Sequence, residues 1–445
     1  MKIVVVGAGK LGYSVAEILS QEDHDVVVTD HVQNQLVAVE NTLDVLTLFH
    51  NGGISSLFLN PDVMNADMLI AATGTDEVNM ALSSLAKAHG ITRTVARIRD
   101  VADGEKDRVM ETFKIDLVLN PELLIATEIH RILMAPAALN VEDFAHGKVR
   151  LFEVKIKKKS KVLGKTLKEI TLPEGVLAAM IFRGQRMIIP HGDDSFQLND
   201  DAYFIGIPEQ IEKFSENFRE RKSKKIEKVM IIGAGRSGRR LTRMLDTSGV
   251  KVKLVDIDEE RLRLVAGDLS NNSMAILGDG TDIDLLIEEE VASADFLIAL
   301  TEDDKLNLML ALLAKHLRTA QTVVRFYRTD YISIMEKAGV DVALSARHLA
   351  ATEVLAFARQ GGVRKVSYLD EGLKAEAVEV VVQNGAKVAG KTLMEAKLPR
   401  ECLVSAYVRE GVAKIPRGNT VLEAGDRVIL ILESSAAKKV MEFFR

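Results

Sequence analysis

The chain has 445 residues, 47% hydrophobic and 27% charged, an ordinary composition for folded domains and enough length for about three of them. A formal net charge of −6 argues against a general nucleic-acid binder, and the single cysteine, Cys402, excludes an intrachain disulfide and a cysteine-rich metal cluster. Cys402 reads as a small buried hydrophobe.

In chain order, the first stretch, MKIVVVGAGKLGYSVAEIL, reads as a strand, a glycine-rich turn and a helix. Its apolar run is broken at once by glycines, so it is not read as a signal peptide, and no run approaches the ~18 to 20 apolar residues that cross a bilayer. A cytoplasmic location is expected, with any membrane role exercised through a partner. Further Val- and Ile-rich runs follow to residue 135 (DVVVTD, DMLIAAT, TVARI, DLVLNP), alternating with helical patterns such as EVNMALSSLAKAHG. Near-continuous apolar strands between helices predict a parallel sheet covered on both faces. Residues 140–222 are patterned differently, with LFEVKI, LAAMIFRG, QRMIIP and AYFIGIP as short strands divided by turns and the helical EQIEKFSENF closing the segment, which predicts a small α+β domain. The basic runs KIKKKSK and RERKSKKIEK read as a solvated face and a linker.

The pattern then repeats. Gly7-Ala8-Gly9-Lys10-Leu11-Gly12 matches Gly233-Ala234-Gly235-Arg236-Ser237-Gly238, and Asp30 matches Asp256 at the same offset. After a small shift in a loop, Thr73, Asn79 and Arg97 match Thr301, Asn307 and Arg325; later Gly164-Lys165-Thr166-Leu167 matches Gly390-Lys391-Thr392-Leu393. Drift confined to loops is what a tandem duplication produces. Four domains are expected: Rossmann-like units at 1–135 and 226–360, and small α+β units at 140–222 and 366–445.

Each glycine loop follows a strand, opens a helix and is answered by an acid at the end of the next strand. In such a loop the first glycine allows the tight turn, the second lets backbone approach a pyrophosphate, and the third lets helix and strand close together. The helix N-terminus presents unpaired N–H groups to phosphate. Asp30 and Asp256 are placed to accept from ribose hydroxyls and would repel a 2′-phosphate, which favours NAD(H) or an adenosine nucleotide over NADP(H). Thr73-Gly74 and Thr301-Glu302 fall after the fourth strand of each sheet, and Arg97 and Arg325 end the fifth, where a cation suits phosphate within one subunit or across an interface. In the loop after the third strand, His50-Asn51-Gly52 stands where the second half has Gly278-Asp279-Gly280, so the two sites are not expected to be equivalent.

Neither half shows the Tyr-x-x-x-Lys pair of many dehydrogenases, a Gly-x-x-x-x-Gly-Lys-Ser/Thr loop, or metal-ligand spacing among its nine histidines. No catalytic residue and no metal site is assigned, and two nucleotide sites without chemistry suggest a sensor. The competing readings are an NAD-dependent oxidoreductase with a duplicated cofactor domain, which needs a proton-transfer group over the nicotinamide, and a scaffold with vestigial loops.

In this order and spacing, VVVGAGKLG, ADMLIAATGTDEVNM, TVARIRD, IIGAGRSGRRL, ILGDGTD, ADFLIALTEDDKLNL and the two GKTL segments resemble the TrkA family of bacterial Trk potassium-uptake systems over essentially the whole chain. The resemblance implies two tandem RCK (KTN) units, each a Rossmann-like domain followed by a small C-terminal domain. It implies that NAD or NADH, with ATP or ADP as further candidates, controls an integral-membrane Trk-type potassium transporter subunit from a homotetrameric ring on the inner face of the membrane. Carried over by residue, the nucleotide contacts are Gly7, Gly9, Lys10, Leu11, Asp30, Thr73, Gly74 and Arg97 in the first half, and Gly233, Gly235, Arg236, Asp256, Gly278, Asp279, Thr301 and Arg325 in the second. His50 departs from the family's usual glycine. The helices PELLIATEIHRIL and ARHLAATEVLAFA suit pairing across the ring through their apolar faces.

Overall fold

The computed structural model describes residues 1–22, 24–101, 105–134, 141–158, 160–184, 186–215, 218, 226–327, 332–359, 363–369 and 375–445. Most of the run RERKSKKIEK lies outside them. Alternation of apolar runs with amphipathic stretches gives the first half β1 (Lys2–Val6), α1 (Lys10–Gln21), β2 (Asp25–Asp30), α2 (Gln33–Glu40), β3 (Leu46–Phe49), α3 (Ile54–Leu57), α4 (Pro61–Met64), β4 (Met68–Ala71), α5 (Asp76–Ala88), β5 (Arg93–Arg97), α6 (Lys106–Phe113), β6 (Leu117–Leu119) and α7 (Pro121–Met134). The strands form one parallel sheet in the order β3-β2-β1-β4-β5-β6. Val4, Val27 and Leu69 of its central strands are fully buried, as strands covered on both faces must be.

A small domain follows with β7 (Val141–Phe144), β8 (Val149–Lys155), β9 (Val176–Arg183), β10 (Arg186–Ile188), β11 (Asp201–Gly206) and α8 (Pro208–Ser215). Its sheet is antiparallel, in the order β10-β9-β11-β8-β7. The sequence pattern did not announce β7, because VEDF is short and half of it is charged, and its one large apolar side chain, Phe144, is buried only by packing in a core shared with the second small domain.

The second half repeats the plan: β12 (Lys228–Ile232), α9 (Arg236–Thr247), β13 (Lys251–Asp256), α10 (Glu259–Ala266), β14 (Met274–Leu277), α11 (Ile283–Glu288), β15 (Phe296–Ala299), α12 (Asp304–His316), β16 (Gln321–Phe326), α13 (Ile332–Lys337), β17 (Val342–Ser345) and α14 (Ala346–Ala358). These strands run β14-β13-β12-β15-β16-β17, all parallel. Its small domain holds β18 (Val363–Tyr368), β19 (Ala375–Val381), α15 (Leu393–Ala396), β20 (Cys402–Arg409), β21 (Val412–Lys414), β22 (Arg427–Glu433) and α16 (Ala437–Met441), ordered β18-β19-β22-β20-β21. Among the described residues no helix is long and apolar enough to cross a membrane.

Two compact units result, one from Met1–Leu133 with Ile226–Leu355 and the other from Met134–Lys225 with Ala356–Arg445. In the first, α7 leaves the first half and buries Ile125, Ala126, Ile129, Ile132 and Leu133 in the core of the second, against Val229, Ile231, Leu241 and Val252. The His130 ring lies 2.9 Å from the Ser248 hydroxyl across the same contact. In α14, Ala350, Ala351, Val354 and Leu355 are buried within the chain as well. The apolar faces of these two helices, expected to pair across a ring, are therefore covered inside a single chain. In the second unit the two small sheets share a core, with Phe144, Leu151, Met180 and Ile205 packed with Ala375, Ala377, Ile429 and Ile431. Here the repeated GKTL segments are structural: Thr166 with Glu169, and Thr392 with Glu395, form capping boxes.

Candidate functional site: two Rossmann crevices

The strand order reverses between β1 and β4, and again between β12 and β15. These are the switch points at which such sheets open a crevice beyond their carboxyl ends. Gly7 takes φ +109°, and a Cβ there would sit 2.8 Å from the Ala72 carbonyl oxygen; Gly233 takes φ +110° with 3.0 Å to the Leu300 carbonyl carbon. Only glycine fits both the backbone and the approach. A Cβ on Gly12 would lie 1.8 Å from the Gly7 oxygen, and one on Gly238 would lie 1.9 Å from the Gly233 oxygen, so the third glycine of each loop sets how closely helix and strand meet.

The acids hold these loops. One carboxylate oxygen of Asp30 accepts from Ala8 N–H at 2.6 Å and the other from Val32 N–H at 2.8 Å. Asp256 does the same for Ala234 at 2.5 Å and Asp258 at 2.9 Å. A carboxylate has about four acceptor sites, so each acid that braces its loop keeps capacity for ribose hydroxyls. Gly9 and Gly235 are the N-caps of α1 and α9, with no side-chain cap on the first N–H groups. Leu11 is buried, and its counterpart Ser237 is buried with a hydroxyl that has no partner.

Across each crevice, sequence reasoning named the threonines but missed what holds them. Asn79, fully buried on α5, accepts from Thr73 N–H at 3.0 Å and Oγ1–H at 2.7 Å, and donates to the Arg97 carbonyl at 2.8 Å. Asn307 repeats this with Thr301 (3.0 and 2.7 Å) and Arg325 (2.8 Å). The available signal was a polar residue repeated at the buried face of an amphipathic helix. Gly74 and Glu302 follow the threonines, and Gly74 offers its carbonyl to Arg99 Nη2.

The third-strand loops differ as expected, with a cause the sequence did not show. A Cβ on Gly278 would meet Leu285 Cδ2 at 2.5 Å, so any larger residue there has to displace that side chain. Asp279 accepts from the Thr281 N–H and hydroxyl, both at 2.8 Å, which holds its carboxyl below the usual range. The half-buried His50 places Nε2 3.3 Å from both the Gly53 carbonyl and the Ser56 hydroxyl; Asn51 beside it is exposed.

The arginines separate the crevices further. Arg97 faces Glu122 of α7 at 3.4 Å. Arg325, 7% exposed, donates from Nη2 to the Thr301 carbonyl at 2.7 Å, while its Nε has no partner. Its Cζ lies 4.9 Å from the Tyr327 ring centre, with Arg347 Cζ at 4.5 Å and Lys10 Nζ of the first half at 4.8 Å. Burial holds the Tyr327 phenol above its ordinary value and the Arg347 guanidinium below. On the other side Arg236 reaches from the second loop to Asp100 of the first half at 3.0 Å. That hydrogen bond lowers the Asp100 carboxyl and raises Arg236. Among the described residues no group of three His, Cys, Asp or Glu is disposed to hold a metal.

Family comparison agrees with this architecture. The TrkA-N domain matches residues 3–121 and 229–346, and the TrkA-C domain matches residues 151–219 and 377–445. The Trk system potassium uptake protein TrkA homolog 1 of Methanosarcina mazei is 34% identical over 455 residues, covering 100% of both chains. The Trk system potassium uptake protein TrkA of Halomonas elongata is 30% identical, covering 100% of this chain and 99% of its own. Among solved structures, the GsuK channel bound to NAD shares the fold, with a TM-score of 0.62 at 19% identity over 99% of this chain and 78% of the other. With both domain types present twice and full-length relatives of that name, the chain belongs to the TrkA family of Trk-system potassium uptake proteins.

Proposed function

We propose that this chain is a nucleotide-responsive cytoplasmic subunit, not an enzyme, that controls an integral-membrane potassium-translocating partner. NAD or NADH, with ATP or ADP as further candidates, binds in the two crevices, and a homotetrameric ring docks on the inner membrane face through the partner. The observation that carries this reading is the duplicated set of glycine loop, buried acid and Thr–Asn clamp at both switch points, within a potassium-uptake family. A solved neighbour of the same fold binds NAD. A ligand biases such an assembly only through its differential affinity for two shapes; a ~20-fold preference is about 1.8 kcal/mol per site, and several coupled sites add.

The test is calorimetric titration of the full chain with NADH, NAD, ATP and ADP, repeated on Asp30→Asn and Asp256→Asn, which keep a side-chain acceptor for the loop N–H. Potassium flux is then followed in vesicles carrying the chain and its membrane partner. Loss of one class of sites in one variant, with flux that responds to the bound nucleotide, is the expected result. Absence of binding by all four, or flux indifferent to them, overturns the reading.

A further inference from the structure

The two crevices carry opposite charges at one equivalent position. In the first sheet Arg97 of β5 is registered with Leu119 of β6, and in the second Arg325 of β16 is registered with Leu344 of β17. Three residues beyond Leu119 stands Glu122, and three beyond Leu344 stands Arg347. Both are the second residue of the helix that follows, α7 or α14. Glu122 has the sign a helix N-terminus favours, and Arg347 has the sign it opposes.

The surroundings sharpen the contrast. In the first crevice three arginines meet carboxylates: Arg97 meets Glu122 at 3.4 Å, Arg99 meets Asp76 at 3.2 Å, and the incoming Arg236 meets Asp100 at 3.0 Å. The Arg97 Nε is idle, but Glu122 neutralises its charge. In the second, Arg325, Arg347 and Lys10 gather on the Tyr327 ring, and the buried Nε atoms of both arginines have no hydrogen-bond partner. Among the described residues the acids whose charge reaches this cluster are Asp304, which accepts from Tyr327 N–H at 2.9 and 3.0 Å, the exposed Glu302, and Glu122 of the first half, already paired with Arg97. Desolvated cations with idle donors at the positive end of a helix are costly without an anion.

Building on the nucleotide reading above, we infer that Arg347 makes the second crevice the site for the more highly charged nucleotides, a nucleoside di- or triphosphate, while Glu122 turns the first toward the less charged dinucleotide. Arg347 and Arg325 supply charge-assisted donors to terminal phosphate oxygens, and Glu122 repels the same oxygens in the other half.

The experiment measures the ATP and NAD affinities of the full chain by calorimetry at one fixed ionic strength, for the wild type, Arg347→Glu, Arg347→Gln and Glu122→Arg, with circular dichroism as the fold control. Arg347→Glu is expected to weaken ATP on the order of tenfold or more at one class of sites, with Arg347→Gln intermediate and NAD changed far less. Glu122→Arg is expected to strengthen ATP at the other class; it carries the opposite sign and stands by itself if an Arg347 variant does not fold. ATP and NAD weakened equally, or a preference unmoved by folded variants, overturns the inference while leaving nucleotide binding intact. A wild type that binds neither overturns both readings.

Discussion

The two Rossmann crevices share their backbone devices and differ in the charges that face into them. Loop glycines, the bracing acids Asp30 and Asp256, and the clamps of Asn79 and Asn307 correspond almost bond for bond. Glu122 against Arg347, Leu11 against Ser237, and His50 against Gly278 do not correspond. Groups that satisfy buried backbone polar atoms cannot vary without leaving those atoms unpaired, whereas groups that only face the crevice can diverge at small cost to the fold. Duplication therefore kept the frame and altered the lining.

The sharpest way to break this comparison is at the third glycine. Gly12→Ala and Gly238→Ala each drive a Cβ to within 2 Å of a backbone carbonyl oxygen. Both should lower stability by about 3 kcal/mol or more and by similar amounts, read from thermal or urea unfolding. A large effect in one half only would show that the frames are not equivalent.

Next come the buried clamps. Asn79→Ala and Asn307→Ala each leave a threonine N–H and an arginine carbonyl without their side-chain partner, and each should cost about 2 to 3 kcal/mol. Crevice residues can then be compared with hydrogen exchange at Thr73 and Thr301. Protection lost at the mutated clamp alone is expected; loss at both would mean that the halves open as a single unit.

The smallest effect is electrostatic. Arg236 depresses the Asp100 carboxyl, so the pair stabilises the folded chain above the unfolded carboxyl value near 4, and that contribution is lost as pH falls through the folded value. Asp100 is 65% exposed, so solvent screens the pair to under about 1 kcal/mol. Wild type should lose slightly more stability than Asp100→Asn between about pH 5 and 3. Matching acid limbs would show that the pair contributes nothing to folding.

Much of the fold was legible because its signals are local. Strand runs, amphipathic helices, glycine loops and the acid after β2 or β13 follow from hydrophobic period and from turns that only glycine can make. The short, half-charged edge strand β7 was not legible, because Phe144 is covered by a domain more than 200 residues further along the chain. Of the candidate site, loops, acids, threonines and Arg97 and Arg325 were named from the sequence; they lie in the loops and strand ends of the two parallel sheets. Tyr327, Arg347, Glu122 and Asp100 were not named, and Asn79 and Asn307 stood out only as a matched pair of the repeat, since only packing gives them their neighbours.

By itself the sequence determined that the chain is written twice, that each copy opens with a parallel-sheet nucleotide-type domain, and where the turns and acids of each crevice fall. Those properties reside in short windows of side-chain pattern and backbone freedom. Only the tertiary structure decided that α7 completes the core of the other half, that Arg236 is held by Asp100, and that three cations meet on Tyr327. Burial and charge pairing between residues far apart in sequence depend on the distances the fold creates, and those distances exist only once both halves have packed together.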